Sequence, residues 1–293
     1  MKIGMNLPVM VPGLDRDTIL EWVRRIDAGP YSSLAAGERI TFPNPEVMVT
    51  MSAAAAVTER VRLAFTVIVL PMHSPVLMAK QIATLDVISG GRVTLGLGIG
   101  ARVEDYRAVG TPFDDKRLRR MEGQIALMRR VWAGENVVEG ALRPVEPFPV
   151  QSGGPELLAG ALAPDSIRRA ARWADGVCGF SFGPSAEEVG FAYDTARRAW
   201  QDAGRSTPPR LVMSFWYALG DRARAQLDAY LERYLGFLGD DAAKALGATV
   251  KTTSATALRE AARMLADLGT DELILVPTTL DPDEVYRVAD ILG

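Results

Sequence analysis

The chain has 293 residues, enough for one large core or two modest ones, and a net charge of −3 from 33 basic and 36 acidic side chains, which argues against a nucleic-acid-binding face. One cysteine and one histidine exclude an internal disulfide and a cysteine-rich metal site, leave little room for zinc or triad chemistry, and point to a reducing, cytoplasmic setting.

Residues 1–9, MKIGMNLPV, lack the apolar core of a signal peptide, and no window approaches the roughly 18 apolar residues of a membrane span. Lys2–Asn6 reads instead as a first strand, 15–28 as an amphipathic helix and 31–37 as a short second strand. Glu38 and Arg39 follow that strand where barrel enzymes place functional groups; the competing reading is an ion pair on a surface loop. Pro43-Asn44-Pro45-Glu46 opens a helix running to residue 59. Residues 61–69, VRLAFTVIV, suit a strand buried on both faces. Pro71 and Pro75 end it and bracket a helix start, with Ser74 as the candidate cap and Val76, Leu77, Ala79, Ile82, Ala83, Leu85 and Ile88 at helical spacing. Ser89-Gly90-Gly91 supplies the left-handed stop. Residues 92–100, RVTLGLGIG, form the next buried strand, whose glycines at 96, 98 and 100 leave room for something flat.

A short helix at 103–108 precedes a longer one at 117–133, capped by Asp114 or Asp115, with Leu118, Met121, Ile125, Met128 and Trp132 forming a core stripe. Residues 134–155 are a Pro/Gly-rich loop with room for a short hairpin. Then come strand 157–162, helix 164–173, strand 177–180, helix 186–203, strand 211–219, helices 222–238 and 255–268, strand 272–276 and helix 283–292. Cys178, within an apolar strand, reads as a buried inert thiol. Eight strands alternating with helices predict a single α/β domain over 1–293, a (β/α)8 TIM barrel rather than an open sheet.

Two motifs fail on context. Residues 96–101 spell a dinucleotide fingerprint, but the charged segment 102–107 after it is a poor partner for a strand. Gly179-Phe180-Ser181-Phe182-Gly183 spells a nucleophile elbow, but its histidine would have to lie downstream, and the sole histidine is His73.

The stretch from Leu70 to Gly100 resembles the luciferase-like monooxygenase superfamily, the bacterial luciferase-like flavin and coenzyme F420-dependent oxidoreductases. The shared features are Leu70-Pro71, Pro75, Ala79-Lys80, Thr84-Leu85-Asp86 and Ser89-Gly90-Gly91-Arg92, and the similarity extends across most of the chain. The resemblance implies a luciferase-like TIM barrel with a flavin-type coenzyme at the C-terminal ends of its strands. The spelling of 79–81 and 158–163 favours coenzyme F420 and hydride transfer to or from a small organic substrate. The alternative is an FMN-dependent monooxygenase using reduced flavin and oxygen; an alternative of another class is a non-catalytic ligand-binding barrel.

By the same resemblance a non-proline cis peptide near Val67–Ile68 lies behind the ring, Gly98 and Gly100 wall it, and Gly160, Ala161, Leu162 and Ala163 anchor the phosphate at a helix start. Loops near Gly220 and Thr278-Thr279 are the general barrel alternative for that anchor. Arg39 is expected to orient substrate, with Glu38 fixing Arg39. The family's acid-histidine pair is here Glu38-Arg39, and its histidine before Pro75 is Ser74 with His73 one place earlier, which removes an imidazole acid or base from those positions. Neither metal, nucleic acid nor membrane is expected as a partner. A homodimer is expected, through the helix at 46–57 with its Met48, Met51 and 53–56 alanine run.

Overall fold

Strands β1 (Lys2–Asn6), β2 (Ser33–Ala36), β3 (Arg62–Val69), β4 (Val93–Gly98), β5 (Glu156–Ala159), β6 (Gly176–Phe180), β7 (Arg210–Tyr217) and β8 (Glu272–Pro277) pair in chain order, all parallel, and β8 returns to β1 to close a barrel. The computed structural model describes residues 1–161 and 163–293, so Leu162 lies outside the described residues. Parallel neighbours need crossovers, and helices supply them while covering the outer face of the barrel. They are α1 (Arg16–Ala28), α2 (Val47–Ala56), α3 (Pro75–Ser89), α4 (Val103–Ala108), α5 (Arg117–Trp132), α6 (Pro164–Ala170), α7 (Ala186–Asp202), α8 (Ala223–Leu235), α9 (Asp240–Gly247), α10 (Ala255–Asp267) and α11 (Glu284–Leu292).

Local chemistry sets the boundaries. Asp15 caps α1 by accepting from the Thr18 N–H at 2.8 Å, and Glu46 caps α2 by accepting from the Val49 N–H at 2.6 Å. α2 ends at Ala56 rather than at 59, because the Asp27 carboxylate captures the N–H groups of Glu59, Arg60 and Val61 at 2.9–3.0 Å and pulls the chain into its turn. Ser74 makes no side-chain cap bond; Pro75 at the first turn starts α3, and Gly90 stops it at φ +65°. No hairpin forms in 134–155. β5 stops at Ala159 rather than at 162, and α8 stops at Leu235, followed by one 3-10 turn and then by α9, which the sequence reading left out.

The barrel interior is filled from below. At the floor the Arg62 Nε donates to the Thr94 hydroxyl at 2.8 Å, Thr94 donates to Glu156 at 3.1 Å, and Arg210 pairs with both Glu156 and Glu272. The Ser32 and Ser33 hydroxyls donate to the other oxygen of Glu272 at 2.5 and 2.6 Å. Above this layer Ala35, Ala64, Leu158, Cys178, Val212 and Ile274 pack around the barrel axis with Val67 against them. Burial pushes the Cys178 thiol up to about 12, in keeping with an inert side chain. Above these layers, at the C-terminal ends of the strands, the barrel opens into a cavity.

Candidate active site

A cavity of about 300 Å3 lies at that rim. Its lining comes from the segment after β2 (Gly37, Glu38, Arg39), the end of β3 (Thr66, Val67, Val69), the turn into α4 (Gly100, Ala101, Arg102, with Asp105), β6 and β7 (Phe180, Trp216), and the end of α8 (Tyr234). A larger cavity of about 580 Å3 lies on the outside, between α8 and α9, walled by charged residues such as Arg224, Asp228 and Lys244. Barrel chemistry sits where strands end and loops converge, so the smaller cavity is the candidate site.

β3 shapes the cavity floor. Its register against β4 shifts between Phe65 and Ile68, and the Thr66–Val67 peptide is cis, one bond earlier than the expected Val67–Ile68. The shift turns Val67 into the barrel, while Ile68 points into the outer core and is fully buried. A Cβ added at Gly98 or Gly160 would come within 2.8 Å of a Val67 methyl, and one at Gly100 within 2.8 Å of a Val69 methyl. These glycines leave room that the valines of β3 fill. Gly100 still lines the cavity; Gly98 and Gly160 stand behind Val67. The Gly160 and Ala161 N–H groups already donate to Leu97 and Ala159 carbonyls at 2.7 and 2.9 Å, and Ala163 of the expected phosphate segment immediately precedes α6.

The charged residues pair differently from expectation. Glu38 does not fix Arg39. Its carboxylate, 2% exposed, accepts from the Val69 N–H at 2.7 Å and lies 2.8 Å from Nε2 of His73. An imidazole is thus present beside the rim, reaching Glu38 from the segment after β3; Gln124 holds the His73 carbonyl from α5 at 2.8 Å. Arg39 instead donates from Nε to Asp105 at 2.6 Å, and Asp105 also accepts from the Thr41 N–H and hydroxyl at 2.7 and 2.6 Å. Burial pushes the Asp105 carboxyl up, but the bonds from Arg39 and Thr41 and the Arg39 charge outweigh it and hold the group below its ordinary 3.8.

Aromatic rings make the opposite wall. Phe180 and Phe182 approach Trp216 with centroids 4.6 and 5.3 Å away, and Trp216 meets Tyr234 edge-on at 5.1 Å. Sequence reasoning missed Asp105 and this wall; the charged segment at 102–107 was the available signal for the former. Ser181 of the elbow-like motif is buried, and its hydroxyl donates to Glu188 at 3.1 Å. Among the described residues no group of His, Cys, Asp and Glu could hold a metal, and no helix is long and apolar enough to cross a membrane.

A planar coenzyme ring suits the residues present. Gly37, where a Cβ would stand 2.9 Å from the Thr66 carbonyl, keeps the end of β2 flush against the β3 bulge. The remaining wall is mostly apolar, and the cavity matches the lower end of the roughly 300–1,000 Å3 of ligand pockets.

Comparison with known proteins agrees with this architecture. An uncharacterized protein of Mycobacterium tuberculosis is 31% identical over 211 residues, covering 63% of this chain and 73% of that protein. The 4-hydroxyprotoasukamycin monooxygenase of Streptomyces nodosus subsp. asukaensis is 30% identical over 208 residues, 66% of this chain and 54% of that one. Among solved structures, monooxygenase RslO1 from Streptomyces bottropensis superposes with a TM-score of 0.80 at 26% identity, covering 99% of this chain and 97% of that one. An F420-dependent secondary alcohol dehydrogenase reaches the same TM-score at 14% identity over 99% and 98%, a likeness of fold alone. The family model for luciferase-like monooxygenases matches residues 1–286, and the chain belongs to that family.

Proposed function

We propose that the protein is an oxidoreductase in which a flavin-type coenzyme, coenzyme F420 in the first reading, occupies the rim cavity and exchanges a hydride with a small organic substrate. One observation carries this reading: a mostly apolar cavity at the barrel rim whose lining includes Glu38, hydrogen-bonded from behind by His73, and no serine, cysteine or lysine. No side chain of such a wall carries redox chemistry of its own, so the protein would supply orientation and a proton and the coenzyme the hydride. Val67, Val69 and Gly100 would back the ring, and the segment from Gly160 to Ala163 leading into α6 would lie towards the phosphate.

Glu38 and Nε2 of His73 share one hydrogen bond, and the imidazole is 21% exposed. The pair would hold or deliver a proton at the substrate. Arg39, locked by Asp105, keeps its positive charge in place to orient an electron-rich substrate oxygen.

A second reading, an FMN-dependent monooxygenase, is favoured by relatives named as monooxygenases: the protoasukamycin enzyme, RslO1, and a limonene 1,2-monooxygenase of Rhodococcus erythropolis that is 34% identical over 125 residues. Titrating the purified protein with F420 and with FMN, followed by oxygen uptake with the reduced form that binds, separates the readings. Binding of neither would leave the ligand-binding barrel.

Val49, Leu77, Val87 and Ile88 are exposed on the adjacent helices α2 and α3, and Val57 just after α2, which supports a two-fold dimer through that face. A monomeric mass by light scattering at micromolar concentration would overturn it.

A further inference from the structure

The cavity has four charged side chains, and three are paired within the protein: Glu38 accepts from the Val69 N–H and meets His73, and Arg39 and Asp105 form an ion pair. Arg102 is the fourth. Among the described residues it makes no ion pair, and its one hydrogen bond runs from Nη2 to the Tyr234 carbonyl at 3.2 Å. Its guanidinium lies against the Phe237 ring, 3.0 Å from the centroid, and 5.5 Å from that of Tyr234. A guanidinium carries five N–H donors in a planar fork, so most of its donors remain for a ligand. Burial, together with the nearby Arg39 charge, lowers its proton affinity below the ordinary 12.5, against the opposing pull of Tyr234, Asp105 and Glu104.

We propose that Arg102 receives the anionic end of an aromatic substrate, a carboxylate or phenolate whose ring lies along Tyr234, Phe237 and Trp216. This rests on the coenzyme reading of the same cavity: the ring-backing valines of β3 form the floor, whereas Tyr234 and Phe237 come from α8 and the turn after it. A planar carboxylate would accept two parallel bonds from the fork while its aromatic body packs on the wall. Glu38 and Asp105 form no ion pair with Arg102, and both are held by their own donors.

The same chemistry could come from the coenzyme's own phosphate, and the test separates the two sources. Calorimetry would compare 2-naphthoate with neutral 2-naphthamide, on the free protein and on protein saturated with whichever of F420 and FMN binds. The proposal expects naphthoate to bind the coenzyme-loaded protein and Arg102→Met to weaken it by about ten- to hundred-fold, with naphthamide binding unchanged and Arg102→Lys intermediate. Equal binding of the two probes, no naphthoate binding at all, or an Arg102→Met protein that holds naphthoate as tightly as wild type would overturn it. Competition between naphthoate and coenzyme would also overturn it, assigning Arg102 to the coenzyme. If neither coenzyme binds, the coenzyme reading fails, and the two probes on the free protein still decide the role of Arg102.

Discussion

Arg39→Met should destabilise the protein far more than the loss of a surface ion pair would. The Arg39 and Asp105 side chains are 11% and 4% exposed, and removing one partner of a buried pair typically costs about 3–5 kcal/mol, because the other charge is stranded. Asp105 keeps two donors from Thr41, so the expected loss is smaller, about 2–3 kcal/mol. At roughly 2–4 °C per kcal/mol for a chain of this size, that is a fall in Tm of about 4–12 °C. The pH dependence gives a second handle. The folded Asp105 carboxyl lies below its ordinary 3.8, so its pairing contributes stability that is fully present above that value and is lost as pH falls through the folded value. The gap between wild type and variant should therefore be widest near neutrality and close on acidification below about pH 4. Urea unfolding of both proteins across that range, with Arg39→Met/Asp105→Asn as the control expected to recover much of the loss, measures it. A gap under about 1 kcal/mol at neutral pH, the size of an exposed pair, or a gap that does not narrow in acid would refute the reasoning.

Arg210→Met strands Glu272, which is 2% exposed and keeps only the Ser32 and Ser33 donors, so denaturation should show a loss of about 3 kcal/mol. Coenzyme affinity should not change, and a parallel loss of binding would count against the separation of barrel floor from rim. Cys178 should resist iodoacetamide in the native protein and react once it is unfolded; rapid native labelling would contradict its burial. Gly98→Ala places a methyl 2.8 Å from Val67, whose β-branched side chain cannot yield without moving the bulge, so stability should fall by about 1–3 kcal/mol and coenzyme affinity with it. Wild-type binding by that variant would detach the bulge from the site.

The barrel was legible in the sequence because each strand is an apolar run set off by turn residues or charges, and those signals are local. The site was legible only in part. Glu38 and Arg39 both line the cavity, but each finds a distant partner rather than the other. Those partners stand 35 and 66 positions along the chain, at His73 and Asp105, and only closure of the barrel brings them together. The glycines of β4 were read for the space they leave; what fills that space is set by the β3 bulge, which shifts side chains by one position and has no local spelling. α9 did carry a signal, with Asp240 and Asp241 in its first turn and Lys244 towards its end, as the helix dipole favours.

Hydrogen–deuterium exchange of the protein with and without saturating coenzyme tests the central claim most directly. The account predicts slowed exchange on binding at the strand ends that build the rim, around Glu38, Val67 to His73, Gly100 to Tyr106 and Phe180 to Phe182, with the floor around Arg210 and Glu272 unchanged. Protection confined to the outer cavity between α8 and α9, around Arg224 and Lys244, would contradict it.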